Sequence, residues 1–309
     1  MLKEKIVGKQ AGIITYGLTP PKLANPEEKI REIAEKQKAR IETAAIDGLI
    51  LYDIQEESDR IKEERPFSFL PTVDPVDYER NYLRDLNLPK IIYRCVGKYT
   101  PEQLAQWIRA EPDRDRYTVF VGASSHTQEV KLKLSEAYQL CRKSDTNLIL
   151  GGITIPERHR KGADEHLRII QKTEHGCRFF VSQTTYDVET SKNLLSDYFY
   201  HCEKHGLERV PILFTLSPCG SLKTLEFMKW LGISVPKWLE NDLINSEDIL
   251  DQSIKLEKLI FEELFDFALE KRIPIGCNIE SVSVRKAEIE ASIQLVKDIG
   301  DIVRAKGLM

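Results

Sequence analysis

Short apolar runs alternate with stretches of helical spacing along the whole chain, eight times over. The runs fall at 12–17, 48–53, 90–96, 118–123, 147–154, 177–182, 211–216 and 273–278, most of them rich in Ile, Val, Leu, Phe or Tyr and too short for a helix. Such alternation predicts parallel strands joined by helical crossovers. Eight units in 309 residues match a closed (β/α)8 TIM barrel of the α/β class. The pattern continues to the end without a break in composition, which predicts one domain over 1–309. After the seventh run comes an insertion, ISVPKWLENDL, and then a helical pattern over 246–270, an extra long helix before the eighth strand. Its apolar positions Ile249, Ile254, Leu259, Ile260 and Leu264 could pack on the barrel or on a second subunit. The former is preferred, with a homo-oligomer or partner subunit left open.

A barrel of this kind carries its chemistry just past the C-terminal ends of the strands. The second run ends in Asp53, followed by Gln55, Glu56, Glu57 and Asp59; a solvated loop start is the ordinary reading of such an acidic run. Asp53, nearest the strand, is the best single candidate for an acid or base. The stretch 58–75 lacks periodicity and holds three prolines, as a lid would. Thr100-Pro101-Glu102-Gln103 reads as a capping box with proline at the first helical position. Glycines and small residues at 122–123 and at 151–152 would let a flat ligand approach the barrel top. The last strand places Asn278 and Glu280 at the rim as candidate substrate ligands.

Composition narrows the classes. Charged residues make up 30% of the chain and nearly balance, for a net charge of −4, so no broad basic face for nucleic acid is expected. No apolar stretch approaches the ~20 residues of a membrane span, and MLKEKIVGKQ lacks a signal-peptide core. The expected location is cytoplasmic, without membrane partners. Six scattered cysteines, at 95, 141, 177, 202, 219 and 277, read as reduced and mostly buried, with neither a disulfide framework nor a structural zinc site. His201 and His205, four apart on a helix, could bind a metal, but they lie in a crossover helix away from the rim. A solvated helix end is the preferred reading, and no metal is expected. Glycine fingerprints for dinucleotides, phosphate loops and nucleophile elbows are all missing.

From the fifth strand to the insertion the chain resembles methylenetetrahydrofolate reductase, a flavin-dependent barrel. The likeness rests on Gly152-Ile153-Thr154-Ile155-Pro156-Glu157-Arg158-His159, Ala163-Asp164-Glu165, Lys172-Thr173-Glu174-His175-Gly176-Cys177 and Phe179-Phe180-Val181-Ser182-Gln183. Tyr186-Asp187-Val188-Glu189, VPILFTLSP and Ile233-Ser234-Val235-Pro236-Lys237-Trp238 continue it in order. Weaker echoes occur earlier, in LTPPK, DGLILYD and YRCVGKYTPEQL.

The resemblance implies FAD as cofactor, NAD(P)H as electron donor and a folate-type substrate in one-carbon metabolism and methionine biosynthesis. His159, Asp164, Glu165 and Lys172 would hold the flavin's ribityl and phosphate portion, with Thr154 and Ser124 in the same cofactor-binding set. Gln183 would touch both pterin and flavin face, as substrate ligand and catalytic residue. Three family positions are changed. The glutamate acting as general acid is Gly17, a histidine on the third strand is Ile92, and the flavin-tuning aspartate is Ser124. If chemistry is retained, Asp53 is the expected substitute acid. The alternatives are a divergent folate-binding homologue or subunit without the flavin hydride step, and a non-catalytic interaction module.

Overall fold

The computed structural model describes residues 1–56, 63–110, 115–123, 130–144, 146–162 and 164–308. Eight parallel strands follow one another in chain order: β1 (Ile14–Leu18), β2 (Gly48–Leu51), β3 (Lys90–Cys95), β4 (Arg116–Val121), β5 (Leu148–Thr154), β6 (Phe179–Thr184), β7 (Ile212–Leu216) and β8 (Ile275–Glu280). Pairing of β1 with β8, Ile14 opposite Cys277 and Gly17 opposite Glu280, closes the barrel. The predicted (β/α)8 architecture is thus observed. Strand ends differ by up to two residues from the apolar runs. β6 and β8 extend through Thr184 and Glu280 because their last residues are polar and face the mouth, where hydrophobicity no longer marks the strand. β4 starts at Arg116 and stops before Gly122.

Period-two alternation sorts the strand residues between two cores. Ile50, Ile91, Val119, Ile149, Phe179 and Leu213 fill the barrel interior, while their neighbours pack outward under the helices. Helix α1 (Leu2–Val7) sends Leu2 and Ile6, each 1% exposed, into the interior cluster. The N-terminal segment is therefore the plug of the barrel floor, each side chain contributing about 1.5–3 kcal/mol by burial. The glycines at 151 and 152 do not open the top to a ligand. A Cβ on Gly151 would lie 2.5 Å from the Phe179 ring, and one on Gly152 2.8 Å from Phe180. They make room for two phenylalanines of the next strand.

The outer layer comprises α2 (Glu27–Ile41), α3 (Pro75–Tyr82), α4 (Pro101–Arg109), α5 (Leu134–Arg142), α6 (Glu165–Glu174), α7 (Val188–His205), α8 (Leu222–Trp230), α9 (Lys237–Ile244), α10 (Ile249–Glu270) and α11 (Lys286–Ala305). The expected capping box opens α4, with Thr100 Oγ1 accepting from Gln103 N and Gln103 Oε1 from Thr100 N. The long insertion helix is α10, started by Asp248, whose Oδ1 accepts from the amides of Leu250 and Asp251. Ile260, Phe261, Leu264 and Phe265 are buried on the barrel side, between α7 and α11, whereas Leu259 is exposed. The helix packs on its own barrel.

Residues 58–62 of the stretch expected to form a lid, with Asp59, and Glu57 just before it lie outside the described residues. Residues 63–67 are docked on α8: the Arg65 guanidinium sits 5.1 and 5.4 Å from the Phe227 and Trp230 rings, and Trp230 Nε1 donates to Glu63 O at 3.0 Å, whereas 71–73 pair with 21–23. Of the six cysteines, all unbridged, five are buried and Cys141 partly so. Among the described residues no helix is long and apolar enough to cross a membrane.

Candidate functional site

The C-terminal mouth of the barrel carries a continuous polar network. At its centre is Asn278, fully buried on the inward face of β8. Its Oδ1 accepts from Thr15 Oγ1 at 3.0 Å, and its Nδ2 donates to Tyr52 Oη at 2.9 Å and Thr215 Oγ1 at 3.2 Å. Thr215 Oγ1 donates in turn to Ser182 O at 2.7 Å, and Thr215 N to Ser182 Oγ at 2.9 Å. One amide thereby ties β1, β2 and β7 to β8, and its orientation is fixed by its partners.

Above Asn278, two residues further along the same strand face, stands Glu280. Its carboxylate accepts from Thr184 Oγ1 at 3.3 Å and from the Tyr52 phenol. A register shift between Val181 and Thr184 bends the end of β6 so that Thr184 meets Glu280. Burial raises the pKa of Glu280, opposed by these two hydrogen bonds. Burial also raises the phenols of Tyr52 and Tyr93 well above the ordinary range, so both stay neutral donors. Their rings meet edge to face at 4.9 Å. The floor beneath is apolar, with Val121 and Ile153 at the top of the interior cluster.

Tyr52 also explains Gly17. A Cβ at Gly17 would lie 2.5 Å from Tyr52 Oη and 2.7 Å from its ring. The space a carboxylate side chain would need at this position is filled by a phenol held by Asn278 and Glu280. Ile92 is buried on the outward face of β3, in the core under the helices.

The other expected site residues are distributed over three places. Gln183, at the top of β6, donates through Nε2 to Leu231 O at 2.9 Å, beside the mouth. Asp53 binds β2 to β3: Oδ2 accepts from Cys95 N at 2.8 Å, and Oδ1 from Lys98 Nζ at 2.5 Å. It lines a groove of about 480 Å³ with Asp74, Lys98, Tyr99, Leu23 and Phe69, to the side of the central network. Gln55 Nε2 donates to Gly122 O at 3.1 Å near that groove.

The third place is the outer wall past β5. Thr154, whose neighbour Ile153 faces inward, turns outward and donates to Glu165 Oε1 at 3.2 Å, which also accepts from Ile155 N at 3.0 Å. Lys172 Nζ donates to Ile153 O at 2.5 Å, and burial lowers its pKa. His159 Nε2 meets Asp197 Oδ2 of α7 at 3.0 Å. Asp164 is exposed at the start of α6 in a left-handed conformation, φ 46°, with no side-chain cap bond. Ser124 lies outside the described residues. Thr154, His159, Glu165 and Lys172 bond within the wall between β5, α6 and α7, not over the mouth, so as placed these four do not fit a flavin cradle.

Sequence reading missed Tyr52, Thr15, Thr184 and Thr215. The signal for Tyr52 was present: it lies two residues after Ile50, on the same strand face.

No family profile matches the chain, and no curated protein does. Among solved structures, an uncharacterized protein from Clostridium thermocellum that binds two copies of 5-methyl-5,6,7,8-tetrahydrofolic acid is 57% identical. The match covers 98% of this chain and 100% of that one, with a TM-score of 0.88. This chain belongs to the same family. Dihydropteroate synthases from Xanthomonas albilineans and Thermus thermophilus also align, over 99% and 96% of this chain and 98% and 94% of theirs. Their identities are 10% and 12% and their TM-scores 0.49 and 0.45, too remote to bear on function. The folate bound by that relative agrees with the folate part of the resemblance read from the sequence. The finer likeness to methylenetetrahydrofolate reductase gains no separate support.

Proposed function

We propose that this protein binds a reduced folate of the 5-methyltetrahydrofolate class at its C-terminal mouth, as a folate-binding barrel without a flavin hydride step of its own. The observation that carries the reading is the 57% identical relative with its two bound folates. The mouth supplies matching chemistry. A pterin is a flat bicycle with an amino-oxo edge that both donates and accepts. Glu280 can accept from the amino edge, Gln183 lies nearby as an amide of mixed character, the Tyr52 and Tyr93 rings offer flat apolar surface, and Asn278 beneath holds Tyr52 in place. FAD and NAD(P)H have no part in this reading, since Thr154, His159, Glu165 and Lys172 of the expected flavin-binding set bond within the outer wall.

Glu280 also gives the mouth a group able to keep a proton at higher pH than an ordinary carboxyl, since its pKa is raised by burial. That favours a second reading, in which the bound folate is protonated at a ring nitrogen during transfer of its one-carbon unit. In that reading Glu280, in place of Asp53, is the acid.

Calorimetric titration with 5-methyltetrahydrofolate tests the proposal. The wild type is expected to bind, and Glu280→Gln to bind about tenfold or more weakly, the cost of losing one charge-assisted contact. Absence of binding, or equal affinity in Glu280→Gln and Asn278→Ala, would reject the mouth as the site. A flavin absorbance band in the purified protein would restore the oxidoreductase reading.

A further inference from the structure

Four of the chain's six histidines gather on the outer wall, away from the mouth. His159 comes from the short 3-10 helix Pro156–Gly162, His166 from α6, and His201 and His205 from α7. Their rings form a chain, with centroids 5.3 Å apart for His159 and His166, 5.7 Å for His166 and His201, and 4.4 Å for His201 and His205. Asp197, one helical turn before His201, joins the same end of the cluster. One ligand atom from each of His159, His166 and Asp197 lies within 4.8 Å of the other two.

We propose that His159, His166 and Asp197 form a binding site for a divalent transition-metal ion of the zinc class. Two imidazoles and a carboxylate are ordinary ligands for such an ion, which leaves a fourth position to water. Two ligand atoms at about 2.0 Å in a tetrahedral arrangement stand about 3.3 Å apart. His159 Nε2 and Asp197 Oδ2 are already 3.0 Å apart. The imidazoles are otherwise poorly satisfied: Nδ1 of His159 and Nδ1 of His166 are buried without a hydrogen-bond partner. A buried polar atom left unpaired is costly, and an ion held through Nδ1 of His166 would give that atom a partner, with His159 ligating through Nε2. The site is reachable as well as preorganised. The His159 side chain is only 7% exposed, while that of Asp197 is 59% exposed and opens the cluster to solvent.

The three ligands come from three separate elements, the 3-10 helix, α6 and α7, so the ion would pin the segment after β5 onto α7. The site shares no residue with the folate mouth, and the proposal stands independently of the folate reading. His201 and His205 flank it along α7, which gives the i,i+4 pair in the sequence a place at the edge of the cluster and not at its centre.

Zinc titrated into chelator-treated protein, followed by calorimetry, is expected to bind at one equivalent with a Kd of about 10 µM or tighter. Cobalt in its place should give the visible bands of a low-coordinate ion. His166→Ala and Asp197→Asn should each weaken binding more than about tenfold, whereas His175→Ala, whose ring bonds the Gln171 carbonyl within α6, should bind as the wild type does. Zinc should raise the melting temperature of the wild type and leave that of Asp197→Asn unchanged. Asp197→Asn keeps a surface polar group, so it reports on the site even where His166→Ala fails to fold. Absence of zinc binding, or binding unaltered in both ligand variants, overturns the proposal.

Discussion

Tyr52 and Gly17 show how one side chain can remake a site. Glycine at 17 is required because the phenol of Tyr52 occupies the space beside it, and the phenol is held by Asn278 and Glu280. Gly17→Ala should therefore force the ring aside and cost about 1–3 kcal/mol by overpacking. In a Tyr52→Ala background the same change should cost much less. A double-mutant cycle by urea denaturation checks this, and additive effects within about 0.5 kcal/mol would show that the two residues do not compete for the space. Glu280 and Asn278 were legible as rim residues because they alternate on one strand face beyond an apolar run. Asp53 was legible too, but position at a strand end does not reveal whether a carboxylate is free, and both oxygens of this one accept bonds from β3 and the turn after it. The wall residues Thr154, Glu165 and Lys172 lie together near the end of β5. Which side of the wall they face depends on strand parity at β5, which a motif match ignores.

At the level of elements, strands and crossover helices were read well because each carries its own periodicity. Their ends were read less well at the barrel mouth: β6 and β8 run on into polar residues because their last positions join its polar network. Helix α1 was not read at all. Six residues are too few for a reliable period, and only closure of the barrel gives Leu2 and Ile6 something to pack against. Its role as a plug makes a clear prediction. Ile6→Ala should destabilise the protein by about 2–5 kcal/mol, the range for deleting a buried aliphatic side chain. Exposed Val7 on the same helix should tolerate alanine with a change under about 0.5 kcal/mol. Equal effects at the two positions in thermal or urea unfolding would mean that α1 is not part of the cooperative core.

Across the whole molecule, barrel closure brings together groups that are remote in sequence, and some of them are held at a cost. Glu257 on α10 is fully buried behind the end of β7. Its Oε1 accepts from Ser217 N at 2.6 Å, while Oε2 has no partner. Burial, with a smaller contribution from the charge of Glu280, pushes its pKa up to about 8. No sequence pattern could have shown this, because a glutamate in a long helix is ordinarily solvated and only the packing of α10 on the barrel removes it from water. An unfolded glutamate titrates near about 4.3. Between these values the native protein holds a proton that the unfolded chain has lost, so stability from this group is full below about pH 4.3 and declines as pH rises towards 8. Glu257→Gln keeps the shape and removes the ionisation. The variant should match the wild type at pH 4, exceed it by about 4–5 kcal/mol at pH 8, and show a flatter profile between. Urea unfolding of both proteins across that range provides the test. Parallel profiles would mean that Glu257 titrates in the native protein as it does in the unfolded chain, and that the helix opens far enough to hydrate it.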